Sequence, residues 1–116
     1  GTTVSMRWYH RGHRDPGAAI VYVHGGGRIG GSVEQYEPLL RHYVQLTRVP
    51  VLAVAYRLAP EWRHTVAAED AFAAIRWLSH HAKEMGVDPA RIALMGDSGG
   101  GGVAAGAAII ARDNGM

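Results

Sequence analysis

The stretch Arg91-Ile92-Ala93-Leu94-Met95-Gly96-Asp97-Ser98-Gly99-Gly100 decides the fold. Its first half, preceded by the turn signal Asp88-Pro89, is a short apolar run and predicts a buried strand. Small apolar residues follow from 99 to 112, with Gly115 just beyond, and predict a helix. The junction between them has the form G-x-S-x-G. A serine on so sharp a strand-to-helix turn has its hydroxyl thrust clear of the sheet, and side chains in place of the flanking glycines would collide with neighbouring backbone. The helix amides point at the same spot, where negative charge is favoured, so the Gly99 N–H is placed to donate to an oxyanion. Taken alone, the pattern also fits an ordinary turn with a solvated serine.

Upstream, the chain repeats the same alternation. An alternating segment from Val4 to Tyr9 predicts an edge strand, and Asp15-Pro16-Gly17 a turn. Ala18-Ala19-Ile20-Val21-Tyr22-Val23 predicts a buried strand, followed by His24-Gly25-Gly26-Gly27-Arg28-Ile29-Gly30-Gly31. Ser32 and Gln35 form a capping-box pattern, and Tyr36, Leu39, Leu40, Tyr43 and Leu46 recur at helical spacing, predicting a helix over 33–47. Residues 51–56 predict another buried strand. A polar connection over 57–65 leads to a helix over 66–84, marked by Ala67, Ala71, Ala74, Ile75 and Leu78 with Trp77 alongside, and Gly86 sits where a left-handed cap belongs. Strands alternating with helices mean a mostly parallel sheet with right-handed crossovers and helices on both faces, an α/β fold.

The triple glycine at 25–27 gives the serine turn a partner. It too follows a buried strand and precedes a helix, so it leaves the same end of the sheet. Acyl transfer needs a nucleophile and two or three donors aimed at the developing oxygen, and losing one donor costs about 3 to 4 kcal/mol of transition-state stabilisation. Gly26 and Gly27 offer amides that no side chain blocks. The same glycines also satisfy G-x-G-x-x-G, as residues 100–105 satisfy its looser form ending in Ala. A dinucleotide site, however, wants the helix to start within the glycines and an acid closing the next strand. Here the cap Ser32 lies after the glycines, and Arg57 stands where that acid would be.

Composition excludes much else. The 116 residues carry a formal charge of +2 and no cysteine, which removes disulfides, thiolate metal sites and a cysteine nucleophile. The arginines are scattered around a single Lys83, so no basic patch for nucleic acid forms. No apolar run is long enough to span a membrane and no basic-then-apolar leader is present, which makes a cytoplasmic location the expectation.

The segments Tyr22-Val23-His24-Gly25-Gly26-Gly27, Tyr56-Arg57-Leu58-Ala59-Pro60-Glu61 and Gly96-Asp97-Ser98-Gly99-Gly100, with Val87-Asp88-Pro89-Ala90-Arg91-Ile92 before the serine strand, resemble the hormone-sensitive lipase-like esterases (bacterial family IV) of the α/β-hydrolase superfamily. The resemblance covers nearly the whole chain. It implies hydrolysis of small carboxylic esters, usually with short-to-medium acyl groups, without cofactor or metal. Ser98 resembles the nucleophile, and Gly26, Gly27 and Gly99 the oxyanion donors. Two positions depart from the family: Gly99 replaces the usual Ala, and Arg28 replaces an apolar or aromatic residue. Arg28 either favours substrates with an anionic group or turns its guanidinium to solvent with its stem packed on the loop.

A serine needs a base and an orienting carboxylate, which in this superfamily follow it in the chain. After Ser98 there is one acid, Asp113, and no histidine. Of the seven histidines, all upstream, His24 braces the first glycine loop, His80 and His81 suit a helix C-terminus, and His10, His13, His42 and His64 read as surface or packing residues. The chain, opening on Gly1-Thr2, is therefore expected to be an internal fragment: residues 1–116 form the N-terminal part of a hydrolase catalytic domain without its N-terminal cap and C-terminal strands. The 92–95 strand then becomes an exposed edge through which copies can associate. The family also includes plant hormone receptors that have lost the histidine, so a non-catalytic small-molecule receptor on the same scaffold is the alternative.

Overall fold

Strict alternation along the strands splits the core into two layers, one on each side of a four-stranded sheet. The structure is a computed structural model and describes residues 5–10, 17–24, 32–55, 64–96 and 99–115. Its elements are β1 (Ser5–Tyr9), β2 (Gly17–Val23), α1 (Val33–Thr47), β3 (Val51–Ala55), α2 (His64–His81), a single 3-10 turn (Lys83–Met85), β4 (Val87–Gly96) and α3 (Gly99–Asp113). Ala19, Val21 and Val23 of β2 and Leu52 and Val54 of β3 face α2 and α3. Tyr22, Val51 and Ala53 face Leu40 and Val44 of α1. Successive side chains of a strand point to opposite faces, so continuous apolar runs are what a sheet covered on both sides requires.

The strand order is β1-β3-β2-β4. β2 pairs in parallel with both β3 and β4, and β1 pairs antiparallel with β3, so the sheet is mostly parallel as expected. From β2 the chain steps one way to β3 by α1, then returns past β2 to β4 by α2 on the opposite face. Open α/β sheets take ligands at the carboxyl ends of the strands where such a reversal occurs, which here means the ends of β2 and β4.

Three local readings change in detail. Ser32 Oγ accepts the Gln35 N–H at 3.2 Å, as the capping pattern predicts, but the buried stripe of α1 is Val33, Leu40 and Val44. Leu39 and Leu46 turn outward, the latter 69% exposed. One residue rotates a helix by about 100°, so Leu39 cannot share the direction of Leu40. The helix expected over 66–84 stops at His81, and the 3-10 turn leads to Gly86 at φ 70°, the expected left-handed cap. Asp88-Pro89 lies inside β4 instead of before it: residues 88–91 bulge opposite Ala18 alone, between the pairs Gly17–Val87 and Ala19–Ile92, and Asp88 Oδ1 accepts the Ala90 N–H at 2.9 Å.

A polar knot fastens the edge strand β1 to α1. Glu37 accepts from the Tyr9 hydroxyl at 2.9 Å and from Arg7 at 3.2 Å, and pairs with Arg41 at 3.5 Å. The Tyr9 bond first, then Arg41 and Arg7, hold the Glu37 carboxyl below its ordinary value against partial desolvation. Burial first, then Glu37, pushes the Tyr9 hydroxyl up. Because the folded value of Glu37 is lowered, its contribution is complete above the unfolded pKa of about 4.3 and is lost as pH falls through the folded value. Acid titration of stability should therefore be shallower below about pH 4 in Glu37→Gln than in the wild type, measured by urea unfolding at stepped pH.

At the other edge, β4 pairs on one side only among the described residues, and Ile92, Leu94 and Met95 are half-buried. An unpaired apolar edge templates association. The isolated chain is expected to self-associate as its concentration rises, which sedimentation velocity reads directly; a well-folded monomer at high concentration contradicts this.

Candidate active site

Backbone placement, before any side chain, sets side by side the two strand ends that lead into the glycine segments. Val23, the last residue of β2, pairs with Gly96, the last of β4, in parallel register. The segments that continue from them therefore start side by side at one end of the sheet. β4 ends at Gly96 and α3 begins at Gly99, so only Asp97 and Ser98 separate strand from helix, the tight junction that the G-x-S-x-G pattern predicts.

Gly100 shows how closely α3 approaches the end of β2. A Cβ built there would lie 2.2 Å from the Val23 carbonyl oxygen and 2.4 Å from that of His24. The first turn of α3 thus rests directly on the backbone from which the 25–27 glycines depart. Any side chain would drive the helix off, which is the collision inferred from the sequence for the flanking glycines. The first turn of α3 carries no acidic residue, so the positive end of its dipole is not offset from within the helix.

His24 is 2% exposed, and its ring stacks on Tyr36 of α1 with centroids 6.0 Å apart and planes at 25°. Tyr36 also packs against Tyr22 at 6.0 Å. His24 is thus packed between α1 and the sheet, while the loop it is expected to brace lies outside the described residues. His10, His42 and His80 are exposed, while His81 stacks on Trp77 at 4.4 Å, its Nδ1 2.8 Å from the Trp77 carbonyl oxygen. Among the described residues no three His, Asp or Glu side chains group as metal ligands.

Of the predicted site residues, Gly99 is the first residue of α3; Ser98, Gly26 and Gly27 lie outside the described residues, as do Arg28, His13 and the 56–61 segment. Sequence reasoning missed two features. Helical spacing places Tyr36 on α1 but gives no sign of its stack on His24. Asp70, 2% exposed, is a buried carboxylate on α2; the signal was an acid three residues after Ala67 and four before Ala74, within the apolar stripe. At the first glycine run the dinucleotide alternative loses its footing: α1 begins at Val33, after the glycines, where a pyrophosphate site needs the helix to open inside them.

The chain belongs to the α/β-hydrolase fold family, whose model matches residues 20–116. Its relatives are the hormone-sensitive lipase-like carboxylesterases. It is 45% identical over 107 residues to ethyl acetate hydrolase of Pseudomonas putida, covering 90% of this chain and 34% of that one. It is 38% identical over 84 residues to mouse hormone-sensitive lipase, covering 72% of this chain and 11% of that protein. A hyperthermophilic esterase from the archaeon Pyrobaculum calidifontis superposes with a TM-score of 0.91 at 42% identity, over 97% of this chain and 36% of its own. The chain thus spans about a third of the length of the Pseudomonas and Pyrobaculum proteins. Among the described residues no helix is long and apolar enough to cross a membrane.

The Gly100 contact yields a test. Alanine is worth about 1 kcal/mol more than glycine in a helix interior, so Gly→Ala ordinarily stabilises. Gly100→Ala should instead destabilise by about 1–3 kcal/mol, since the obstruction is backbone. Gly106→Ala, whose nearest neighbour is the Ala68 Cβ at 3.0 Å, should be close to neutral. Thermal unfolding of the two variants checks the contrast.

Proposed function

We propose that residues 1–116 form the N-terminal part of a catalytic domain that hydrolyses small carboxylic esters through an acyl-enzyme on Ser98. The Ser98 Oγ attacks the ester carbonyl while its proton passes to a base, and the Gly26, Gly27 and Gly99 amides donate to the oxyanion that forms. Collapse expels the alcohol, which takes the proton. Water then cleaves the acyl-serine by the same route, releasing the acid. The base and its orienting carboxylate come from residues outside these 116, in the chain order Ser, Asp or Glu, His.

The observation that carries this reading is the seat of Gly100 on the carbonyls of Val23 and His24. It brings the helix that starts at Gly99 against the strand end that leads into the triple glycine. The names of the relatives agree, and the Pseudomonas protein's gives ethyl acetate as a substrate. Short acyl esters are accordingly the first substrates to try.

In the full-length protein, p-nitrophenyl acetate should be turned over, and a serine-directed phosphonate should label Ser98. Ser98→Ala should lower kcat by at least about 10³-fold and abolish labelling. The 116-residue chain alone should show little turnover. A full-length protein that leaves esters intact, resists the phosphonate, yet binds a small ligand would make the receptor reading the right one.

A further inference from the structure

Resting on the esterase reading, we infer that Tyr36 is a positioning residue for the reaction, acting through His24 on the glycine turn that supplies two of the donors. His24 is held from two directions. Its carbonyl oxygen lies against Gly100 at the start of α3, so close that a Cβ there would sit 2.4 Å away. Its ring, buried to 2% exposure, stacks on Tyr36, which is itself backed by Tyr22 of β2. The ring separation of 6.0 Å lies within the range in which aromatic pairs gain energy beyond their buried area. Gly25, Gly26 and Gly27 follow His24 directly and have no side chains with which to fix their own backbone. A segment without side chains of its own takes its anchorage from the residues that flank it, and His24 is the one before it. Tyr36 fixes that residue from α1 as α3 fixes it from the other side. Oxyanion donors stabilise the transition state only when they are aimed before the charge forms, so a loosened His24 should slow chemistry without weakening substrate binding.

The test uses the full-length enzyme and three readouts: kcat, KM, and the Ki of a trifluoromethyl ketone, whose serine adduct carries the same oxyanion. Tyr36→Leu should lower kcat about tenfold and raise that Ki by a similar factor, with KM within about twofold. Tyr36→Phe keeps the ring and should restore both values. Val44→Ala, in the buried stripe of α1 and two turns from Tyr36, should lower the Tm while leaving kcat and Ki at wild-type values. If Tyr36→Leu is insoluble, His24→Gln removes the same stack from the other side and should give the same split. The inference is overturned if the stack-breaking variant keeps wild-type kcat and Ki, or if Val44→Ala reproduces its losses at equal Tm. A wild-type protein that neither hydrolyses esters nor is labelled at Ser98 fails earlier, and sinks the esterase reading itself.

Discussion

The first turn of α3 can lie on the end of β2 because position 100 has no Cβ. Two carbonyl oxygens occupy the volume a methyl group would need. That single steric permission ties the helix to the end of the strand and to His24. It also explains a sequence that is otherwise costly: glycines at 99–102 weaken the start of a helix by up to about 1 kcal/mol each relative to alanine. The helix is held instead by its tertiary face, where Val103, Ala104 and Ala107 are buried against the sheet and α2. Burying the one valine contributes about 1.5–3 kcal/mol, comparable with much of what the glycines forfeit. Stability thus comes from the middle of α3, and its first turn is left free for close approach.

The topology puts that contact where it is useful. A chain that steps from β2 to β3 and then returns past β2 to β4 must cover opposite faces with α1 and α2. Between the two directions the carboxyl ends of β2 and β4 adjoin. Parallel register at Val23 and Gly96 means that whatever follows these strands begins at equal height. The adjacency of the points from which the two glycine segments depart is therefore a property of the sheet, stabilised by its two-sided core.

Much of this was legible in the sequence because it depends on periodicity and on glycine. The strand runs at 18–23 and 51–56, the cap Ser32 and the left-handed Gly86 each leave a local signal, and the elements follow within a few residues. Less legible was anything decided by tertiary context. The outward turn of Leu39 and Leu46 depends on which 100° sector of α1 meets the sheet, and five apolar residues at mixed spacing do not fix that sector. The bulge at 88–91 arises because Val87 also pairs with Gly17, which no turn propensity reveals. At the site, Gly100 could be anticipated as a position without room, whereas the Tyr36–His24 stack joins residues twelve apart through two elements and has no sequence signature. Ser98, Gly26 and Gly27 rest on motif and resemblance, strengthened by the placement of the residues that flank them.

The division between what these residues hold and what lies elsewhere follows from the chemistry proposed for them. Main-chain donors derive their catalytic value from being fixed, so they demand a scaffold whose backbone does not yield. That scaffold is here: two covered faces, a parallel pair of strand ends and a helix pressed onto one of them. A general base needs only a side chain with the right protonation and reach, and it can be delivered from a later segment once the scaffold stands. Preorganised donors commonly supply the largest electrostatic part of such catalysis, and they keep a residual rate when the base is lost. On the proposed reading, these residues carry the costly half of the active-site geometry and leave the base to a segment outside them.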